Sequence, residues 1–138
     1  MNPLVRNAML LATCHYLYKN KLIVDDKKHS RLFVNQTDYI SITPETAREM
    51  MEIEDVILLD VRTEREYEQG HIEGAILLPY DEIDLRAPVM LPNKDDIILI
   101  YCGRGFRAQV AAQKLINLGY TNVYEFGGIN DWPYEIVQ

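Results

Sequence analysis

The run Ile97-Ile98-Leu99-Ile100-Tyr101-Cys102-Gly103-Arg104-Gly105-Phe106-Arg107-Ala108 sets a thiol between an apolar segment and the start of a helical pattern. That order puts Cys102 at the carboxyl end of a buried strand and beside the amino end of a helix. Unpaired backbone N–H groups and the positive end of the helix dipole meet there and favour an anion. A cysteine in such a setting is expected as a thiolate, the form that attacks electrophiles. Cys102 is therefore the candidate nucleophile. Gly103 and Gly105 are expected to take positive φ and turn the neighbouring amides inward as an anion-binding nest. Arg104 and Arg107 add positive charge, and Arg107 offers a planar fork to an oxyanion. Phe106, at the loop tip, points to a partly apolar acceptor or a protein surface. The competing reading is plain packing, since a cysteine after a buried strand is often inert and Gly-x-Gly is a common turn. The coincidence of strand, cysteine, glycines, arginines and helix in one stretch favours chemistry.

The chain that must position this loop has 138 residues, enough for one domain with a real core. Its formal net charge of -7 argues against a nucleic-acid partner and against an anionic membrane surface. Cys14 and Cys102 are too few for a disulfide framework, and no Cys/His cluster has metal-ligand spacing. No metal or cofactor is expected. A single chemically placed thiol suits a reducing, cytoplasmic compartment. Against that stands Ala8-Met9-Leu10-Leu11-Ala12-Thr13 after Arg6, where Leu11-Ala12-Thr13-Cys14 resembles a bacterial lipoprotein cleavage site. Residues 3–20 are read as an amphipathic or buried helix, with export kept as the alternative. No stretch is long enough to span a bilayer.

Residues 1–38 form an N-terminal extension: that helix, then a possible hairpin in which Lys21-Leu22-Ile23-Val24 and Arg31-Leu32-Phe33-Val34 flank a charged turn. From Tyr39 to residue 138 strands alternate with helices. Tyr39–Ile42, Val56–Val61, Ala75–Leu78, Ile97–Tyr101 and Asn122–Phe126 are the expected strands. Thr43-Pro44-Glu45 opens one helix, and Thr63-Glu64-Arg65-Glu66 has capping-box spacing for the next, closed by Gly70. Residues 81–90 are helical or looped, limited by Pro88 and Pro92. A helix with Ala108, Ala111, Ala112, Leu115 and Leu118 on one face ends at Gly119. Gly127-Gly128 is expected to turn the chain toward Trp132. The expected class is α/β: a mostly parallel five-stranded sheet with helices on both faces. Ligands of such sheets bind at the carboxyl ends of the strands, where Cys102 lies.

Leu58-Leu59-Asp60-Val61-Arg62, Glu66-Tyr67, Gly70-His71-Ile72-Glu73-Gly74-Ala75, Tyr101-Cys102 through Arg107 and Gly127-Gly128-Ile129-Asn130-Asp131-Trp132 together resemble the rhodanese domain. The likeness covers about residues 39–138. It implies a single-domain sulfurtransferase of thiosulfate sulfurtransferase type. The loop cysteine, here Cys102, takes sulfane sulfur from a donor such as thiosulfate or a persulfide, and passes it to a thiol or a protein acceptor. Amides from Gly103 to Arg107 would cradle the outer sulfur, and ping-pong kinetics would follow. Cysteine phosphatases resemble this arrangement but carry one more residue between cysteine and arginine. The four residues between Cys102 and Arg107 make a tighter ring, suited to one sulfur atom rather than a phosphate. The loop departs from the commoner pattern of this family, in which arginine often follows the cysteine directly; here Gly103 does, and then Arg104.

Three functions are carried forward. One is an active sulfurtransferase, one a non-catalytic interaction module that keeps the fold, and one a persulfide relay to a dedicated protein partner. Retention of the cysteine with both glycines favours the enzyme. Asp60 and Arg62 are expected to tie loops together, His71 to fix a loop, and Trp132 to pack as a closing plug, with a place at the rim of the site as its alternative.

Overall fold

The structure, a computed structural model, describes residues 38–138. The helix, hairpin, export signal and Cys14 considered for the N-terminal extension lie outside the described residues.

Local signals in the sequence set the first half of the domain. After β1 (Ile40–Ser41), the Thr43 hydroxyl accepts the Thr46 amide at 3.1 Å and Pro44 fills the first position of α1 (Pro44–Ile53). β2 (Val56–Asp60) follows, and a complete Thr63/Glu66 capping box then opens α2 (Glu64–Gln69). β3 (Ile76–Leu77) is brief. The 81–90 segment resolves as one 3-10 turn, Tyr80–Glu82, and α3 (Ile83–Met90). Pro88 lies inside α3 rather than ending it. Ile83 and Ala87 anchor the helix in the core, and Pro88 falls near its end, where a lost amide bond matters least.

The second half carries the site. β4 (Ile97–Cys102) runs into α4 (Phe106–Asn117), and β5 (Asn122–Gly128) completes the sheet. Its order is β1-β5-β4-β2-β3, and every neighbouring pair is parallel. β4 alternates between two cores. Ile98, Ile100 and Cys102 face the cluster built with Ala108, Ala111, Ala112 and Leu115 of α4, whereas Leu99 and Tyr101 face Ala47 and Met50 of α1. Helices therefore cover both faces, as the alternation of elements requires.

β5 differs from expectation. Gly127 and Gly128 continue the strand instead of turning away. Ile100 pairs with Glu125 but Cys102 pairs with Gly128, so β5 spends one more residue than β4 over that interval. This is a bulge, and Gly127 takes φ +87° within it. The extra residue brings Gly128 opposite the cysteine.

Ile100→Ala should lower the unfolding free energy by about 2–5 kcal/mol in a urea titration, the usual cost of such a cavity. Leu85→Ala, on the exposed side of α3, should stay within about 0.5 kcal/mol.

Candidate active site

Cys102 ends the central strand and is 1% exposed. Its Sγ accepts the Gly105 amide at 2.9 Å, which folds the loop back over the sulfur. Gly105 is the N-cap of α4 with φ +118°, and no side chain caps the helix. The amides of Phe106, Arg107 and Ala108 have no partner within the helix by geometry, so the first turn of α4 presents donors at the loop.

Only one of the two loop glycines takes a positive φ. Gly103 is not among the positive-φ glycines of the described residues. A Cβ there would come to 3.1 Å from Arg107 Nη2, a tight approach to the guanidinium that Glu66 holds. The strictest glycine lies on the neighbouring strand. A Cβ on Gly128 would overlap the Gly103 carbonyl and stand 2.6 Å from the Arg104 nitrogen, both backbone atoms. The Gly103 carbonyl in turn accepts the Asn130 amide at 3.2 Å. The loop is thus seated on the end of β5.

Charge around the sulfur is arranged in pairs. Arg107 places its fork on Glu66, with Nη1–Oε2 at 2.7 Å and Nη2–Oε1 at 2.9 Å. The fork proposed for an oxyanion is therefore engaged within the protein. Glu66 Oε2 also accepts the Thr63 amide and hydroxyl, so the capping box of α2 and the loop arginine share one carboxylate. The bond from Arg107 holds the Glu66 carboxyl down to about 2, against the smaller opposing effect of burial. Asp60, fully buried, binds Arg62 through Nε at 3.0 Å and Nη2 at 2.7 Å. Arg62 Nη2 also donates to the Gly70 carbonyl at 2.6 Å. Burial is the largest single influence on Arg62 and works against its charge, but the bond to Asp60 and the charge interactions with Asp60, Tyr101 and Glu66 together outweigh it, and the pKa ends raised. The Tyr101 hydroxyl donates to Asp60 Oδ2 at 2.6 Å and accepts the Ile72 amide at 3.0 Å. Burial, then the bond to Asp60, pushes the Tyr101 hydroxyl well above its ordinary range.

A cleft of about 350 Å³ opens over the sulfur. Cys102, Gly103, Arg104, Phe106 and Arg107 line it, and Gly105 reaches the sulfur through its amide. Arg62 and Glu66 line it as well, and neither stood among the site residues read from the loop. Glu66 enters the sequence reading as a capping residue and as part of the family likeness, but its pairing with Arg107 does not, because that partner is 41 positions away. His71 is not a lining residue. Its ring stacks on Tyr67 at 3.7 Å between centroids, and Nδ1 lies 2.9 Å from the Tyr67 carbonyl, which can only accept, so this nitrogen carries the proton. Trp132 is 8% exposed and packs on Phe126 and Tyr134. Among the described residues no helix is long and apolar enough to cross a membrane.

Comparison with known proteins bears on this geometry. The family described as Rhodanese-like domain matches residues 43–134. The chain is 37% identical over 73 residues to "Thiosulfate sulfurtransferase PspE" of Escherichia coli K12, across 53% of this chain and 70% of that protein. It is 34% identical over 93 residues to the tRNA uridine(34) hydroxylase of Photorhabdus laumondii, spanning 64% of this chain but only 26% of the hydroxylase. Among solved structures, a rhodanese with anions from E. coli matches with a TM-score of 0.57 and 33% identity, over 61% of this chain and 99% of that one. A rhodanese-like domain protein from Staphylococcus aureus matches with a TM-score of 0.59 and 33% identity, over 70% of this chain and 93% of that one.

Two substitutions test the supports of the loop. Gly128→Ala should cost about 1–3 kcal/mol, as overpacking does, and should change the rate at which iodoacetamide alkylates Cys102. Equal stability and equal alkylation would mean that the loop is not seated on β5. For Glu66 the sign follows from a folded pKa of about 2, below the ordinary glutamate value of 4.5. Its contribution is complete above about pH 4.5 and lost as pH falls toward about 2. Denaturation of the wild type and Glu66→Gln should therefore differ at pH 5 and converge toward pH 2. A gap independent of pH would assign the loss to something other than the ion pair.

Proposed function

The chain belongs to the rhodanese-like domain family, and on that premise we propose that it is a sulfurtransferase carrying sulfane sulfur on Cys102. The observation that carries the reading is the setting of the sulfur. Cys102 is a free cysteine whose Sγ receives an amide hydrogen bond, at the foot of a cleft facing the uncapped start of α4. Similarity to a protein named as a thiosulfate sulfurtransferase supports thiosulfate as a donor, and persulfides offer the same outer sulfur. Relatives named for tRNA hydroxylation mean that membership of the family alone does not fix the reaction.

In the first half-reaction the Cys102 thiolate attacks the outer sulfur of thiosulfate. A sulfur–sulfur bond forms to Cys102, the bond to the sulfonate sulfur breaks, and sulfite leaves with the electron pair. In the second, an acceptor thiolate attacks the terminal sulfur of the persulfide, and Cys102 departs again as thiolate. Amides of the loop from Gly103 to Arg107 hold the negative outer sulfur between the two steps. Phe106, 75% exposed at the rim, gives the acceptor an apolar contact. His71, stacked away from the cleft, is not called upon as a base. The free thiol fits a reducing compartment such as the cytoplasm.

Reduced protein incubated with thiosulfate should gain about 32 Da, one sulfur atom, as expected of a covalent intermediate on a nucleophilic cysteine. Cys102→Ser should gain nothing. A wild type that takes up sulfur neither from thiosulfate nor from glutathione persulfide would overturn the reading in favour of a binding module.

A further inference from the structure

One buried carboxyl group plays no part in the reaction described above. Glu125 lies in β5, is 4% exposed, and pairs with no lysine or arginine among the described residues. Val123 packs in the cluster that holds Cys102, so Glu125, two residues along the strand, shares that face and stands opposite Ile100. Burying such a group is costly unless its oxygens are occupied, so what occupies them shows what it serves. Oε1 accepts the Ser41 hydroxyl of β1, and Oε2 accepts the Gly127 amide at 2.9 Å. The second bond falls inside the bulge. There Gly127, at φ +87°, faces the cysteine loop, since a Cβ on Gly105 would stand 3.4 Å from Gly127 Cα. Gly105 in turn donates its amide to Cys102 Sγ at 2.9 Å. The Glu125 carboxyl therefore reaches the sulfur through two hydrogen bonds and the two facing glycines between them.

We propose that Glu125 is a positioning residue for Cys102, whose carboxyl holds the bulge of β5 in the one shape that keeps the Gly105 amide on the sulfur. The proposal deepens the sulfur-transfer reading of Cys102 and rests on it. A bulge gives up ladder bonds, and a glycine within it has many backbone conformations open. Glu125 supplies the acceptor that the ladder no longer provides. Gly128, the next residue, pairs with Cys102 and lies against the Gly103 carbonyl, so the shape of the bulge passes to the loop at two points. When Gly127 loses its acceptor, the Gly105 amide withdraws from the sulfur. Cys102 must be a thiolate when it attacks the donor and again when it departs, and an amide hydrogen bond favours that form in both steps. The bond to Ser41 offers a competing role, a tie between the two-residue β1 and β5.

The test is the pH profile of Cys102 alkylation by iodoacetamide in the full chain, read at Cys102 by peptide mass. Glu125→Gln removes the acid but keeps an oxygen for the Gly127 amide. Glu125→Met has similar length and keeps none. At neutral pH Glu125→Gln should stay within about twofold of the wild type, and Glu125→Met should react about fivefold more slowly or worse, with its midpoint moved up, as loss of a hydrogen bond to a thiolate does. Sulfur loading from thiosulfate, followed by intact mass, should fall in the same order. Ser41→Ala breaks only the other bond and should stay within about twofold. Urea titration reports the fold of each variant, and Glu125→Val is the second acceptor-free side chain where Glu125→Met does not unfold cooperatively. Equal reactivity of Glu125→Met and wild type would overturn the proposal. So would an equal loss in Glu125→Gln, which would assign the effect to charge, or in Ser41→Ala, which would assign it to the tie with β1. A wild type that loads from neither thiosulfate nor glutathione persulfide overturns the sulfur-transfer reading instead, while alkylation still decides whether Glu125 positions the sulfur.

Discussion

Asp60 is a charged group with no exposure to solvent, and the ends of three segments are arranged around that fact. A buried carboxylate is tolerable only when every oxygen is occupied. Here Arg62 and Tyr101 occupy them, and both pass the constraint on. Arg62 holds the Gly70 carbonyl, and the Tyr101 hydroxyl takes the Ile72 amide. The end of β2, the end of β4 and the connection after α2 are thereby locked to one another. Tyr101 is the residue before Cys102, and its side chain lies on the opposite face of the sheet. Fixing the tyrosine on one face fixes the sulfur on the other, since neighbouring side chains of a strand share one backbone. Such a network contributes more to a single geometry than to net stability, because desolvation consumes much of the Coulomb gain.

The same logic explains how the proposed anion site fits an acidic protein. The formal charge of -7 makes the long-range field unhelpful to an anionic donor such as the one proposed. At physiological salt that field is screened beyond about 8 Å, so what decides is the local arrangement of donors. The start of α4 supplies oriented amides whose partial charges are permanent and need no counter-ion. Arg62 and Arg107, by contrast, spend their charge on carboxylates of the protein and act as struts. Had both been free, the cleft would hold any small oxyanion firmly, and the negative outer sulfur would compete with buffer anions for its own cradle.

Most of the fold was legible because its signals are local or periodic. The threonine caps at Thr43 and Thr63, the run from Ile97 to Cys102 and the alanine face of α4 each declare themselves within a few residues. What was not legible depends on partners far along the chain. Glu66 satisfies its capping role so completely that nothing local betrays its second partner, Arg107. Gly103 looked like a turn glycine, yet what bears on it is the nearby Arg107 guanidinium. Gly127-Gly128 looked like a turn because two glycines usually make one. Only pairing with β4 reveals a bulge, since register is a property of two strands and not of either.

Glycine placement also accounts for the unusual loop sequence. Gly128 lies against the Gly103 carbonyl, and a Cβ on Gly105 would stand 3.4 Å from Gly127 Cα. At the first point backbone meets backbone with no room for a side chain; at the second a Cβ would make an ordinary contact, and the φ of +118° at Gly105 is what favours glycine. The path of the loop is therefore dictated by the end of β5 and by the hydrogen bond from the Gly105 amide to the sulfur, not by the residues at 104 and 106. Those two side chains project from a path already decided, and both are exposed. Their identities can change without rebuilding the path of the loop. An arginine one position later than the commoner rhodanese pattern alters what the mouth of the cleft presents, while the chemistry at its foot keeps the same frame.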